Sequence, residues 1–237
     1  MSETLSRRDF LKVAGATGAG IGLGILFKRF LDTIEQSRVE SEAAILRSVV
    51  HIRDNKNSKF DGTGFIEERD GMLSIVTVQH IAAWAVYQPS HALILGYPNQ
   101  PIHLKRPIEE FNPDDPVFDD ELIIHFPIGE SNELFTRSLI IEGNLTPLQW
   151  INGEVAIGQT VVLPDVFSGT YDQGVVEGIK DDDLIIYSKT GLVCRGRSGG
   201  PVIMANSGSI TNKVIGVVSK AKLDGLFCGT TVFAERG

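Results

Sequence analysis

The chain has 237 residues, 42% of them hydrophobic and 22% charged, with a formal net charge of -8. This length fits one large domain or two small ones, and the composition is ordinary for a globular protein with a filled core. Because residues 1–44 contain equal numbers of basic and acidic side chains, the remainder carries the whole excess of acid. An acidic body argues against a nucleic-acid partner, since phosphate binding relies on clustered lysine and arginine. The sequence has no zinc-type Cys/His spacing and no glycine-rich nucleotide motif, so it predicts neither a metal nor a cofactor.

The N-terminus has the features of an export signal. Residues 6–12 read Ser-Arg-Arg-Asp-Phe-Leu-Lys, which resembles the twin-arginine signal at each defined position, with the pair at Arg7 and Arg8. This resemblance implies export by the twin-arginine translocase across the cytoplasmic membrane of a prokaryote, to the periplasm or beyond. The apolar run at 13–27 is shorter than the roughly 20 residues of a spanning helix. Both cleavage of this run and its retention as a membrane anchor remain open, and residues 30–44 predict a polar helical tether.

The body of the chain has a β pattern. Short runs rich in valine and isoleucine alternate with turn residues, which favours an all-β sandwich or barrel. A hairpin is predicted around Arg69-Asp70-Gly71, one helical turn at Ile81–Val86, and a division into two halves near Asn144–Trp150. The predicted strands lie at 45–53, 64–66, 72–78, 92–95, 122–126, 138–142, 160–163, 174–179, 184–187, 202–204, 214–219 and 230–233.

A serine between glycines is the strongest candidate for chemistry. Residues 196–201 read Gly-Arg-Ser-Gly-Gly-Pro, and a serine hydroxyl becomes nucleophilic once a neighbouring base takes its proton. Such a turn can aim the amides of Gly196 and Ser198 at one point, where they would bind a developing oxyanion. A glycine-rich hairpin with a surface serine is the alternative interpretation. His80 follows an apolar run far upstream, and an acidic run lies between the two, which gives the order His, Asp, Ser.

Further segments resemble those of the trypsin-like serine peptidases and together span about residues 45–235. The segment 62–65 resembles G-[ST]-G-F, 77–82 resembles T-A-A-H, 119–123 resembles D-x-A-L-L, and 216–219 resembles G-I-V-S. The resemblance implies an all-β fold of two six-stranded antiparallel Greek-key β-barrels with the active site between them, preceded by the signal or anchor helix. The implied boundaries are 1–44 for the signal and tether, 45–145 for the N-terminal barrel and 146–237 for the C-terminal barrel.

The same resemblance implies the catalytic roles of a serine endopeptidase acting on a polypeptide substrate through an acyl-enzyme. His80 would be the base, Asp119 would orient its ring, and Ser198 would attack the carbonyl. Neighbours on a strand point to opposite faces, so only one of Asp119 and Asp120 can meet His80. Asp114 and Asp115 are more distant rivals, and Glu121 departs from the usual small residue.

The resemblance also implies a specificity pocket. Leu192 would lie at its base, with Ser219 and Ala221 on its wall, and an apolar base predicts small or medium apolar P1 side chains. Cys194 and Cys228 correspond to a pair that trypsin-like enzymes often join across this pocket, the alternative being two buried free thiols.

Arg197 is a departure from the family. It stands where digestive members have an aspartate that receives a newly cut N-terminal amine. A guanidinium cannot pair with an ammonium, so activation by such a cut is not expected.

Two other functions compete with catalysis. One is a non-catalytic peptidase homologue that keeps the fold as a peptide- or protein-binding module. The other is an exported β-barrel binding protein with no relation to peptidases, which would have to match four motifs by chance.

Overall fold

The computed structural model describes residues 20–54, 61–87, 90–110, 112, 122–151, 153–180, 183–189, 193–194, 196–206, 208–222 and 228–236. Of these, residues 20–27, 194, 221–222 and 228–229 are described as backbone. Residues 41–237 form one compact unit, and the residues up to 40 form another.

The predicted tether is helical. Helix α1 covers Gly20–Leu46, and most of its side chains from residue 28 to 41 are exposed. At its end Ala44 and Ile45 become buried, and the Thr146 amide donates a 3.0 Å hydrogen bond to the Ala44 carbonyl. In the described part of the chain, no helix has the length and apolarity that crossing a membrane requires.

The first sheet has six antiparallel strands in the order β5-β4-β1-β2-β3-β6. Buried residues recur at alternate positions in β1, β4 and β6, whereas β2 and β3 are buried along most of their length. Asp70 and Gly71 connect β2 to β3 with φ values of 52° and 76°. Two successive residues with positive φ are what a tight hairpin requires, so the predicted hairpin is confirmed. The strands are β1 (Val49–Asp54), β2 (Asp61–Arg69), β3 (Met72–Val78), β4 (Ser90–Ile94), β5 (Ile102–His103) and β6 (Ile123–Pro127).

Two short helices accompany this sheet. Helix α2 (Gln79–Tyr87) follows β3 and confirms the predicted helical turn, and α3 (Glu130–Ile141) follows β6. The strand predicted at 138–142 is wrong, because these residues end α3. Thr136 and Leu139 bury one face at helical spacing, while Arg137 forms ion pairs with Glu133 at 2.8 Å and Glu68 at 3.1 Å. A short apolar run fits either period, and these side-chain contacts decide for the helix.

The second sheet follows the order β12-β8-β9-β10-β15-β13-β7, and a further β12–β13 pairing closes six of its strands into a ring. A separate small ladder pairs β11 with β14. The predicted all-β fold of two six-stranded units is therefore confirmed. The strands are β7 (Gln149–Trp150), β8 (Thr160–Asp165), β9 (Thr170–Lys180), β10 (Asp183–Ser188), β11 (Val193–Cys194), β12 (Pro201–Asn206), β13 (Ser209–Lys222), β14 (Cys228–Gly229) and β15 (Thr231–Glu235).

The segment between the two sheets hydrogen-bonds to both of them. The amide of Leu148 donates to the Ile66 carbonyl on β2 at 2.9 Å, and the amide of Ile151 donates to the Val214 carbonyl on β13 at 3.0 Å. Residues 148–151 thus hold β2 of the first sheet beside β13 of the second.

Candidate active site

The loop around Ser198 needs its glycines. It connects β11 to β12, and Gly196 and Gly199 have φ values of 93° and 84°, which L side chains rarely adopt. A Cβ on Gly199 would overlap the carbonyl oxygen of Thr63 and the Oγ1 atom of Thr77. Gly199 therefore lets this loop lie directly on strands β2 and β3 of the first sheet.

Backbone hydrogen bonds hold the loop on both sides. The amide of Thr63 donates to the Ser198 carbonyl at 3.0 Å, and the Thr63 hydroxyl donates to the Gly196 carbonyl at 2.6 Å. On the opposite side, the Gly199 amide donates to the Val218 carbonyl of β13 at 2.7 Å. The loop is thus clamped between β2 of the first sheet and β13 of the second.

The amides proposed for the oxyanion hole lie within this clamp. Among the described residues, the N–H groups of Gly196 and Ser198 donate to no carbonyl, whereas the carbonyls of the same two residues both accept hydrogen bonds from Thr63. The Ser198 amide shares a planar peptide with the Arg197 carbonyl, which accepts a 2.9 Å hydrogen bond from the Gly200 amide. This bond orients the Ser198 amide, which could then serve as a donor to an anionic oxygen.

His80 begins α2 at the end of β3. Ile81, Ala82 and Ala85 bury the inner face of this helix in the core, and the His80 side chain is half-buried. The Gln79 amide donates a 3.0 Å hydrogen bond to the Leu122 carbonyl. His80 was expected at a strand end; the chain does leave β3 there, but the histidine itself lies in the first helical turn.

Ile81, the residue after His80, and Ser198 contact adjacent residues of β2. A Cβ on Gly62 would lie 2.7 Å from the Ile81 side chain, next to His80, while the adjacent Thr63 bonds to Ser198. The structure therefore brings the serine loop to the end of the strands from which the histidine emerges. Among the described residues the Ser198 hydroxyl makes no hydrogen bond, as is common where a substrate completes the geometry.

Several predicted site residues lie outside the described part of the chain. They are the acid Asp119, its rivals Asp114, Asp115 and Asp120, Glu121, and the pocket residue Leu192. The export arginines Arg7 and Arg8 and the first part of the apolar run, residues 13–19, lie outside it as well.

The remaining residues predicted to line a specificity pocket lie on β13. The Ser219 side chain is buried, and its hydroxyl donates to the Phe233 carbonyl at 3.3 Å, so its backbone is the part that could meet a substrate. Ala221 follows on the same strand and is described as backbone. Cys194 and Cys228 are directly opposed Cα partners in the β11–β14 ladder. Opposed residues in antiparallel strands have Cα atoms about 4.5–5.5 Å apart, a separation that a disulfide can span.

Arg197 is buried beside Ser198 and is ion-paired. Its guanidinium lies 2.9 Å from Oδ2 of Asp165, contacts Oδ2 of Asp172, and donates to the Leu163 carbonyl at 3.3 Å. Burial alone would raise the pKa of Asp165, but the amide of Phe167 and the positive charge of Arg197 outweigh it, so this pKa lies below its ordinary value. The ion pairs satisfy a cation that would be costly to bury alone.

A second cluster of titratable side chains surrounds His125 on β6. The His125 ring contacts Glu109 at 2.6 Å and Glu67 at 3.3 Å. Burial alone would lower the pKa of His125, but its hydrogen bonds to Glu67 and Glu109 raise the pKa by more, so the net shift is upward. Within the described ranges, no group of three His, Cys, Asp or Glu residues could hold a metal ion.

Comparisons with known proteins address the signal and the fold. Residues 4–24, which include Arg7 and Arg8, match the family model for the TAT (twin-arginine translocation) pathway signal sequence. The protein is therefore exported across the cytoplasmic membrane of a prokaryote, and the twin-arginine translocase exports it. No curated protein matches the chain.

Solved structures of trypsin-like serine proteases are similar throughout the body. The active form of the Rv3671c protease from M. tuberculosis has a TM-score of 0.52 at 19% identity over 84% of this chain and 78% of its own. Kallikrein-related peptidase 10 in complex with Zn2+ has a TM-score of 0.57 at 10% identity, covering 82% of this chain and 91% of its own. The structure of HL collagenase has a TM-score of 0.55 at 18% identity, covering 82% and 90%. The chain has the trypsin-like peptidase fold.

Within this fold, sequence reasoning missed the partners of the serine loop. Asp165 and Asp172 flank a β8–β9 turn, and nothing in the sequence links that turn to residue 197. The signal that could have suggested them is Arg197 itself, because a basic residue in an otherwise glycine-rich, buried loop requires nearby carboxylates.

Proposed function

We propose that this protein is an exported serine endopeptidase that uses Ser198, His80 and Asp119 as its triad. The observation that carries the proposal is the attachment of the Ser198 loop to Thr63, whose neighbour Gly62 packs beside the start of the His80 helix. The likeness to structures named as a protease, a peptidase and a collagenase supports the same class of reaction.

The proposed chemistry follows from these positions. His80 takes the proton of the Ser198 hydroxyl as its oxygen attacks the substrate carbonyl, and the amides of Gly196 and Ser198 bind the resulting oxyanion. His80 then gives the proton to the leaving amine, which yields an acyl-enzyme. Water, deprotonated by His80, attacks the acyl-enzyme, and the departing Ser198 oxygen regains a proton from the imidazolium.

Chain connectivity supports Asp119 as the acid. The Leu122 carbonyl is bonded to the amide of Gln79, the residue before His80. Three residues of chain span at most about 11 Å, which limits how far Asp119 can lie from Leu122. Chain length limits Asp120 as well, and only one of the two neighbours would face His80 if side chains alternate as along a strand. We expect Asp119→Asn to reduce turnover by orders of magnitude and Asp120→Asn to have a much smaller effect.

The proposed substrates have small or medium apolar P1 side chains. Leu192 would form an uncharged pocket base, Ala221 would narrow the pocket, and the Ser219 backbone would line it. Because one methylene changes discrimination by only about 1–3 kcal/mol, the profile should be graded. A peptide-library cleavage profile tests this preference, and preferred cleavage after lysine or arginine would contradict it.

A fluorophosphonate probe tests the catalytic proposal directly. The folded wild-type protein should be labelled at Ser198, Ser198→Ala should not be labelled, and His80→Ala should react far more slowly. Ser131→Ala is the matched control, because Ser131 is an exposed serine on α3. Absence of labelling in folded wild-type protein, combined with saturable binding of peptides, would favour the non-catalytic binding module instead.

A further inference from the structure

Arg197 lies between Gly196 and Ser198, the two residues whose amides form the candidate oxyanion hole. Its carbonyl accepts a 2.9 Å hydrogen bond from the Gly200 amide, and the Ser198 amide belongs to the same peptide plane as that carbonyl. The orientation of Arg197 therefore sets the direction of a proposed oxyanion donor. The Arg197 side chain is only 9% exposed, so protein groups and not solvent surround it and fix its orientation.

The carboxylates that hold Arg197 lie on one face of a single hairpin. Asp165 ends β8 and is opposite Thr170 on β9, two residues before Asp172. Diagonal positions of this kind share a face, which explains how both side chains reach one guanidinium. The β8–β9 strand pairing that places the two carboxylates side by side is internal to residues 160–180 and needs no free N-terminus.

The β8–β9 turn is held in place by its own hydrogen bonds, independently of Arg197. Oδ1 of Asp165 accepts the Phe167 amide at 2.9 Å and the Ser168 amide at 3.4 Å, while Oδ2 is left for Arg197. The hydroxyls of Ser168 and Thr170 are 2.6 Å apart. The Asp165 carboxylate is therefore fixed by the turn that it caps, and the ion pair joins two ordered segments.

The same turn also contacts the loop on the other side of Arg197. A Cβ on Gly196 would lie 2.6 Å from Cε2 of Phe167, so the ring lies against the glycine backbone. The ring also makes an edge contact with His51 of β1, with centroids 4.7 Å apart. Phe167 and the two carboxylates thus fix consecutive residues of the serine loop from one hairpin.

We propose that Asp165, Asp172 and Phe167 on the β8–β9 turn form a built-in brace that positions Arg197 and thereby orders the oxyanion donors of the Ser198 loop. The proposal rests on the proposed function and adds how its site is kept competent. The brace is present in the folded chain, so the site is assembled by folding, without a new N-terminal amine. Arg197 is a positioning residue in this account and touches no substrate.

Full-chain variants test the brace through the order of the loop. Arg197→Met and the double variant Asp165→Asn/Asp172→Asn should each raise amide hydrogen exchange at residues 196–200 by at least tenfold. Exchange in β1–β3 should stay unchanged. Arg137→Met is the matched control. Arg137 lies on α3, outside the serine loop, and also pairs with two carboxylates, those of Glu68 and Glu133. Unchanged loop exchange in both test variants would overturn the brace.

Reaction with the fluorophosphonate probe separates the brace from the proposed function. If both hold, Arg197→Met should label at least a hundredfold more slowly at saturating probe, with little change in the half-saturating concentration, and Arg197→Lys should recover part of the rate. If Arg197→Met is labelled at the same rate as the wild-type protein, the brace is refuted and the peptidase proposal stands. If the wild-type protein is never labelled but loop exchange rises in the variants, the result would support the brace and remove the peptidase proposal. Should Arg197→Met fail to fold, the shape-conserving Asp172→Asn alone provides the same two readouts.

Discussion

The amide of Thr63 donates a 3.0 Å hydrogen bond to the carbonyl of Ser198. Thr63 belongs to the first sheet, and Ser198 belongs to the loop that precedes β12 of the second sheet. This bond therefore fixes the Ser198 loop against β2. The Thr63 side chain adds a 2.6 Å bond to the Gly196 carbonyl and is fully buried. One residue of the first sheet therefore fixes the carbonyls of two loop residues.

Replacing Thr63 with valine should disturb the loop while conserving shape. The change removes the hydroxyl donor and leaves the Gly196 carbonyl without its partner, a loss worth about 1–2 kcal/mol. We expect a corresponding fall in unfolding free energy and about a tenfold loss of peptidase rate. Denaturant titration and probe labelling measure these effects. Thr33→Val, which removes an exposed hydroxyl bond within α1, is the control and should change neither.

Replacing Gly199 with alanine should be much more damaging than replacing Gly208. Both glycines have positive φ, 84° and 83°, so each variant carries a similar backbone strain of about 1–2 kcal/mol. A Cβ at Gly208 meets open space, whereas one at Gly199 overlaps backbone and side-chain atoms of Thr63 and Thr77. We expect Gly199→Ala to lose more than about 3 kcal/mol of unfolding free energy. Equal losses in the two variants would show that the close contact is unimportant.

The sequence predicts the parts of this protein that depend on local pattern. Alternating apolar residues predict most of the strands, the Asp70-Gly71 pair predicts its hairpin, and Gly196 and Gly199 mark a turn that needs glycine. It fails at residues 138–142, where a run of Leu and Ile fits either a strand or a helix and tertiary contacts decide. It also cannot reveal Asp165 and Asp172 as partners of Arg197, because closure of the second barrel creates that proximity between distant segments.

Glu235 should make stability depend on pH. Burial, together with a hydrogen bond and the negative charge of Asp183, raises the pKa of Glu235 to about 7, and the two residues are opposed across β10 and β15. Lys220 and the Ser219 hydroxyl act in the opposite direction. The folded state thus holds a proton that the unfolded state has released above pH 4.5. The contribution of Glu235 to stability is therefore fully present below pH 4.5 and is lost as pH rises towards 7.

The variant Glu235→Gln removes this titration. It should be more stable than wild type at pH 8 by on the order of 1–2 kcal/mol, and this gain should vanish towards pH 5. Denaturant unfolding at a series of pH values measures the difference. Glu177→Gln, an exposed change on β9, should follow the wild-type curve. A gain for Glu235→Gln that is constant over this range would contradict a raised pKa.

Cys194 and Cys228 should form a disulfide in the exported protein. Their Cα atoms are paired across β11 and β14, and an oxidising compartment keeps such a bond. Alkylation under non-reducing, denaturing conditions should modify neither cysteine, and reduction should make both reactive. Cys194→Ser/Cys228→Ser should lower the unfolding free energy by about 3–4 kcal/mol in the chain-entropy model. Stoichiometric alkylation of the unreduced protein would support two free thiols.

Replacing Arg7 and Arg8 together with lysine should stop export while leaving the folded body intact. Both arginines lie within the matched signal at residues 4–24, and the double change keeps the positive charge, so loss of export would show that the guanidinium pair itself is read. Cell fractionation should find the variant in the cytoplasm and the wild type outside it. Lys28→Arg/Arg29→Lys is the control, because it exchanges two basic residues beyond the match and should be exported normally. Efficient export of the Arg7→Lys/Arg8→Lys variant would contradict the assigned route, and the mass of the exported wild-type N-terminus would show whether residues 13–27 are kept as an anchor.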